Sequence, residues 1–226
     1  MAAKHSILVS ASVSCMDLCN LHAAVREVEQ SQVSFYHFDV VDGRFNQCFI
    51  LGETTLENMK KITGIPIEVH LAVYNPELYI ERFVKAGADY IAVHYEAMEE
   101  PAEIFAGIRR AGAKPVLAYR ADTAPGEDFV KLASQAEWVL KLTVNPGFSG
   151  QKLQLPAVEH IRRMRELADC AGLSVRIEAD GNINSSTIRT VTKAGADILT
   201  GGSSGLFRGG GTVSRHCREM LAAAGM

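Results

Sequence analysis

The 226-residue sequence has only five cysteines, Cys15, Cys19, Cys48, Cys170 and Cys217, scattered and never paired as CxxC. That pattern argues against a disulfide framework and a cysteine zinc site, and fits reduced thiols in a cytoplasmic protein. Charge of one sign is also scarce. A net charge of −3 gives neither nucleic acid nor an anionic membrane an electrostatic reason to bind. No apolar run approaches the roughly 20 residues that a membrane-spanning helix needs. The opening "MAAKHSILVSASVS" lacks the basic start, long apolar centre and cleavage site of a signal peptide. No GxGxxG follows the first predicted strand, so the dinucleotide fingerprint is missing. No linker, charge block or low-complexity segment divides the chain, and a single domain over residues 1–226 is expected.

What is present is alternation. β-branched runs at 7–12, 35–40, 67–73, 90–95, 114–120, 137–144, 174–180 and 197–202 are separated by amphipathic stretches such as "PELYIERFVKAGA" and "PAVEHIRRMRELADCAG". Prolines open several helical segments, as at Pro76 and Pro156, and glycines close them, as at Gly87, Gly112, Gly172 and Gly195. The repeated "AGA" ("KAGADY", "RAGAKP", "KAGADI") reads as a helix end running into the next strand. Eight such units fit an α/β chain folded as one (β/α)8 TIM barrel. A doubly wound open sheet also alternates. The barrel is favoured because polar residues gather at the C-terminal ends of most predicted strands, where barrels build active sites.

Those strand ends carry the chemistry. In "FYHFDVVDG", His37 and Asp39 lie two residues apart and face the same way. His70 in "IEVHLAV" and Asp180 in "IEADG" hold the same late position on their own strands. Two imidazoles and two carboxylates converging at one mouth make a nitrogen and oxygen cage for a divalent ion. A lone histidine of this kind would read as a satisfied core residue; four such residues together do not. His94 and Glu96 in "VHYEA" read either as partners behind a ligand or as a hydrogen-bonded pair at the rim. Glycine-rich turns follow the last three strands, at "NPGFSGQ", "DGN" and "GGSSGLF", where barrels commonly bind phosphate through backbone N–H groups.

These blocks carry a resemblance. "HFDVVDGRF" resembles the H-x-D-V-M-D-G-x-F of the ribulose-phosphate 3-epimerase family, and "EVHLAVYNPELYI" its D-x-H-L-M-V-x-x-P-x-x-Y-I. "VHYEA", "TVNPGFSGQ", "IEADGNI" and "AGADILTGGS" are similar to four further blocks in the family's order. The resemblance implies a metal-dependent ketose-phosphate 3-epimerase, an isomerase that inverts C3 of a D-ribulose 5-phosphate or D-xylulose 5-phosphate type of substrate. It implies one divalent ion (Zn, Fe, Mn or Co) on His37, Asp39, His70 and Asp180, with Asp39 and Asp180 as the acid–base pair. It further implies that Ser12 and His70 contact substrate, and that Gly147, Phe148, Ser149, Gly150, Gly181, Asn182, Gly202 and Ser203 hold the phosphate end. A homo-oligomer is implied as well.

The chain departs from the family pattern in places. Val41, Ala72 and Leu142 stand where the family usually has methionine, "NQCF" replaces V-P-N-I, and Asn182 replaces a second glycine. The small Ala72 is expected to widen the pocket. "CMDL" and "SSGLF" resemble the D-allulose-6-phosphate 3-epimerase branch, which leaves a hexulose phosphate open as substrate. Two other readings are a catalytically inactive phosphosugar-binding barrel and a Schiff base on Lys141. Alternation puts Lys141 on the face opposite Leu142, toward the helices and an acidic neighbour. Arg120 and "FRGGGT" (207–212) are expected to face water.

Overall fold

The computed structural model describes residues 5–147 and 150–225. Its strands are β1 (Leu8–Ser12), β2 (Phe35–Asp42), β3 (Phe49–Ile50), β4 (Ile67–Ala72), β5 (Tyr90–His94), β6 (Lys114–Tyr119), β7 (Trp138–Leu142), β8 (Arg176–Asp180) and β9 (Ile198–Gly201). The helices are α1 (Leu21–Glu29), α2 (Glu53–Lys60), α3 (Ile80–Ala86), α4 (Pro101–Ala111), α5 (Phe129–Ala133), α6 (Leu155–Cys170), α7 (Ile188–Ala194) and α8 (Val213–Ala223). The sheet order is β1-β9-β8-β7-β6-β5-β4-β2, and the parallel pairing of β1 with β2 closes it into a barrel. β3 is the exception: it pairs antiparallel to the end of β2 and lies outside the ring. At two residues it is too short to leave an alternation pattern, and the sequence reading passed over it.

The "AGA" repeats do what their spacing predicts. α3, α4 and α7 each end at a glycine in the left-handed region, with φ of 113°, 106° and 115° at Gly87, Gly112 and Gly195. That conformation is open to glycine and costly for most other residues. The chain thus turns sharply out of each helix and into the following strand.

Each strand of the ring has two buried faces. Val9, Phe38, Val69, Ile91 and Ile177 point outward and meet helix residues such as Val25, Phe83, Phe105, Ile108, Ile161 and Met164. The inward face changes character along the axis. At the N-terminal end it is apolar, with Phe35, Ala92, Val116, Ala118, Trp138, Leu140 and Ile198 packed together. One layer higher come Ser10, His37, Glu68, Glu178 and Thr200, all buried. Asp39, His70, His94 and Asp180 sit above them, toward the mouth. The apolar floor fixes the ring; the upper layers are what a purely structural core would not contain.

Candidate active site

Register brings the mouth residues together. Ser12 lies beside His37, His37 beside Glu68, and Asp39 beside His70; Asp180 ends β8, beside Leu142. His37, Asp39, His70 and Asp180 each offer a ligand atom, and these atoms all lie within 4.8 Å of one another. His37 Nε2 is 3.0 Å from Asp39 Oδ1 and 3.7 Å from Asp180 Oδ2, and His70 Nδ1 is 3.1 Å from Asp39 Oδ1. The histidine side chains are 0% and 1% exposed, the two aspartates 17% and 21%. Two nitrogen and two oxygen donors around one point, at the wet edge of a buried layer, fit a divalent cation.

The two aspartates are held differently. Asp39 Oδ1 faces both imidazoles, while its Oδ2 accepts from Ser14 Oγ at 3.0 Å and from Ser12 Oγ at 3.4 Å. Burial would raise its pKa, but the charge and hydrogen bonds of His37 and His70 outweigh burial and lower it well below the usual carboxylate range. For Asp180 burial dominates. With Asp39 adding repulsion against the attraction of His37, its pKa is pushed up to about 6. His37 shows the reciprocal effect: burial opposes its charged form, yet Asp39, Glu68 and Asp180 raise its pKa well above the ordinary value.

Behind the histidines lie carboxylates that sequence reasoning missed. His37 Nδ1 is 2.7 Å from Glu68 Oε2. Trp138 Nε1 donates to Glu178 Oε2 at 2.8 Å and to Glu68 Oε1 at 3.2 Å, and Ser10 and Thr200 donate to Glu178 Oε1 at 3.0 and 2.7 Å. Burial and the nearby Glu68 raise the Glu178 pKa well above its ordinary value. His37, Glu68 and Glu178 also converge closely enough to hold a cation. Every one of the four glutamate oxygens, however, already accepts a hydrogen bond within the cluster. A signal existed: E-x-H and E-x-D carry the same two-residue spacing as H-x-D, which places Glu68 and Glu178 on the faces of His70 and Asp180.

A cavity of about 650 Å³ opens over this layer. Asp39, His70, Asp180 and Ser12 border it, together with Gly147, Gly150, Gly181, Asn182, Gly202 and Ser203. His37 is fully buried below the wall. Phe148 and Ser149 lie outside the described residues. Gly181 has φ of 118°, and a β-carbon there would overlap Val144. Asn182 follows with φ of 53°, a left-handed value that asparagine tolerates better than most residues. Its side chain donates to Gln151 O at 2.7 Å, tying the turn after β8 to the loop after β7.

Several expectations change. Ala72 and Val41 do not line the cavity. They are buried with Phe45 in a small apolar cluster, so neither forms part of the pocket wall. Leu142 does border the cavity. Arg120 does not simply face water: its guanidinium lies 3.8 Å from the centre of the Phe45 ring, and Nη2 donates to Phe45 O at 2.7 Å. Asn46 Nδ2 donates to Pro146 O, so the loop after β2 is tied to two neighbours across the mouth. Lys141 points outward as expected but meets backbone instead of an acid, donating to Arg120 O and, at 2.6 Å, to Thr123 O. Burial lowers its pKa to about 7 against the opposing pull of Glu96 and Asp122.

A sequence model described as the ribulose-phosphate 3 epimerase family matches residues 8–207. The chain belongs to the ribulose-phosphate 3-epimerase family. Among curated relatives, the ribulose-phosphate 3-epimerase of Methanocaldococcus jannaschii is 35% identical over 197 residues, 87% of this chain and 83% of that protein. The Chlamydia muridarum protein of the same name is 36% identical over 202 residues, covering 88% of each chain. The Bacillus subtilis one is 33% identical over 198 residues, 87% and 91% of the two chains. Among solved structures, a 3-hexulose-6-phosphate synthase superposes with a TM-score of 0.67 at 17% identity, covering 96% of this chain and 99% of the other. A tryptophan synthase α-subunit mutant from Pyrococcus furiosus gives 0.65 at 12% identity, covering 99% of both. At such low identity these two likenesses speak for the barrel alone. Family membership adds to the site what geometry does not carry, since the six sequence blocks that bear the resemblance are the ones that border the cavity or stand behind it.

Proposed function

We propose that the protein is a metal-dependent ketose-phosphate 3-epimerase, an isomerase interconverting D-ribulose 5-phosphate and D-xylulose 5-phosphate. The reading takes residues 1–226 as one barrel domain of a cytoplasmic homo-oligomer. The observation that carries it is geometric: Asp39 and Asp180 border one cavity, with ligand atoms within 4.8 Å of those of His37 and His70. The imidazoles lower the proton affinity of Asp39 while burial raises that of Asp180. Inverting a carbon next to a ketone needs a proton removed on one face and another delivered on the opposite face. A single base tends to return the proton to the side it left. Asp39, held ionised by His37, His70 and two serine hydroxyls, is suited to act as the base, and Asp180, with the higher proton affinity of the two, to act as the acid. In the reverse reaction they exchange roles.

His37, His70, Asp39 and Asp180 would hold the divalent ion, which, when bound, supplies Lewis-acid stabilisation worth several kcal/mol to the negative charge that develops on the substrate oxygens. Ser12 and Ser14 keep Asp39 Oδ2 oriented in that arrangement. The backbone N–H groups at Gly147, Gly150, Gly181, Asn182, Gly202 and Ser203 would take the phosphate. None of the described residues bordering the cavity is Lys or Arg, so phosphate recognition would fall to backbone N–H groups and to side chains such as Ser203 and Ser204. Among the described residues no helix is long and apolar enough to cross a membrane.

The test is turnover of D-ribulose 5-phosphate in heavy water with added divalent metal. The expected result is solvent deuterium at C3 of the product, with a higher kcat/KM than for D-allulose 6-phosphate. A preference for the hexulose phosphate would move the chain to the sister branch, and no exchange with either sugar would overturn the epimerase reading. Sedimentation of the purified protein above monomer mass checks the oligomer.

A further inference from the structure

His70 reaches no carboxylate behind it directly, unlike His37, whose Nδ1 meets Glu68 at 2.7 Å. Its Nε2 lies 2.8 Å from His94 Nε2 instead. His94 Nδ1 lies 3.0 Å from Glu96 Oε2, and Glu96 Oε1 accepts the backbone N–H of Arg120 at 2.8 Å. The rings of His70 and His94 are buried, and the Phe45 ring packs over His94 with centroids 4.6 Å apart. We propose that His94 and Glu96 are positioning residues that fix the tautomer of His70, so that its Nδ1 lone pair stays directed at the cation site. The proposal rests on the metal-site reading above and assigns to it two residues beyond the four donors.

Proton counting carries the argument. A hydrogen bond between two ring nitrogens needs one N–H and one lone pair. With a cation bound, the Nδ1 lone pair of His70 would be given to it, in place of the 3.1 Å contact of Nδ1 with Asp39 Oδ1, and its only proton is then on Nε2. His94 Nε2 must then accept, which leaves the His94 proton on Nδ1. That N–H points at Glu96 Oε2, an acceptor whose other oxygen is pinned by main chain. Each proton position dictates the next. The opposite tautomer of His94 would present an N–H to His70 Nε2 and drive the His70 proton onto Nδ1, where it would occupy the donor pair. Carboxylates behind metal-binding histidines fix ring orientation in this way; here the effect passes through one extra imidazole.

The test uses the full chain. In zinc-loaded wild-type protein labelled with 15N-histidine, two-bond 15N–1H spectra should show the proton of His70 on Nε2 and that of His94 on Nδ1. In cobalt titrations, Glu96→Gln and His94→Phe should each bind about 10- to 100-fold more weakly than wild type. Melting curves of the metal-free variants check that the fold is retained. A His94 proton found on Nε2, or folded variants with unchanged cobalt affinity, would overturn the proposal. If the variants do not fold, the wild-type spectrum alone decides. Wild-type protein that takes up neither zinc nor cobalt has a different signature. It removes the metal-site reading itself, and the positioning roles with it.

Discussion

Asp39 and Asp180 are the same residue type with different neighbours, and that difference is the residue-scale content of the site. Asp39 has two imidazoles and two hydroxyls on its oxygens; Asp180 has burial and one imidazole at 3.7 Å. Asp39→Asn and Asp180→Asn should each cost about 100-fold or more in kcat. Melting temperatures should stay close to wild type, because both side chains are partly exposed; near-wild-type exchange in heavy water in either variant would remove the acid–base assignment. Lys141 gives a prediction of stability against pH. Its pKa is about 7 in the folded chain against 10.5 for the free side chain. Between those values the unfolded chain holds the proton and the folded one does not, so stability contributed at this site rises with pH from about 7 to 10.5. Unfolding of wild type and Lys141→Met by urea should diverge by a few kcal/mol across that window in favour of wild type, on the order expected for a shift of this size. A difference independent of pH would show that Lys141 stays charged in the folded protein.

At the scale of elements, the strands carry the converging imidazoles and carboxylates in register, and the loops border the cavity above them. The two-residue strand β3 returns the loop after β2 against its own strand, and Arg120, at the end of β6, grips that loop by the Phe45 ring and carbonyl. Guanidinium stacked on a ring and bonded to a carbonyl is not replaceable by an ammonium. Arg120→Ala should raise KM and lower kcat/KM roughly 10-fold, the loss of a charged hydrogen bond, and open residues 43–48 to protease. Arg120→Lys should recover little of either. Unchanged kinetics and protease resistance would mean that other contacts, such as Asn46 to Pro146, hold the loop without it.

At the scale of the whole molecule, closing the ring sets β1 beside β9 and β2 and puts Asp39 and Asp180, 141 positions apart in the chain, at one cavity. A cation that joins side chains from β2, β4 and β8 binds the folded barrel and not the unfolded chain. Divalent metal at about 100 times its Kd should therefore add about 2.7 kcal/mol to stability. For a domain of this size that raises the melting midpoint by roughly 5–10 °C, and chelator should reverse both the shift and the activity. A midpoint indifferent to metal and chelator would separate the cation from the fold.

The strand positions, the glycine helix stops and the meeting of His37, Asp39, His70 and Asp180 at one mouth were legible in the sequence. They depend on period-two alternation and local turn chemistry, which each segment states for itself. The inward glutamates carried the same signal at Glu68 and Glu178, but E-x-H and E-x-D look ordinary until the partner Trp138 is known to lie beneath them. Four matters depended on the assembled barrel: which aspartate has the higher proton affinity, what fills the space beside Ala72, what Arg120 grips, and that His70 leans on His94. All four are set by groups from different strands and loops meeting at close range, where desolvation, charge and shape act together. No single segment of sequence encodes such a distance; it exists only once the barrel is closed.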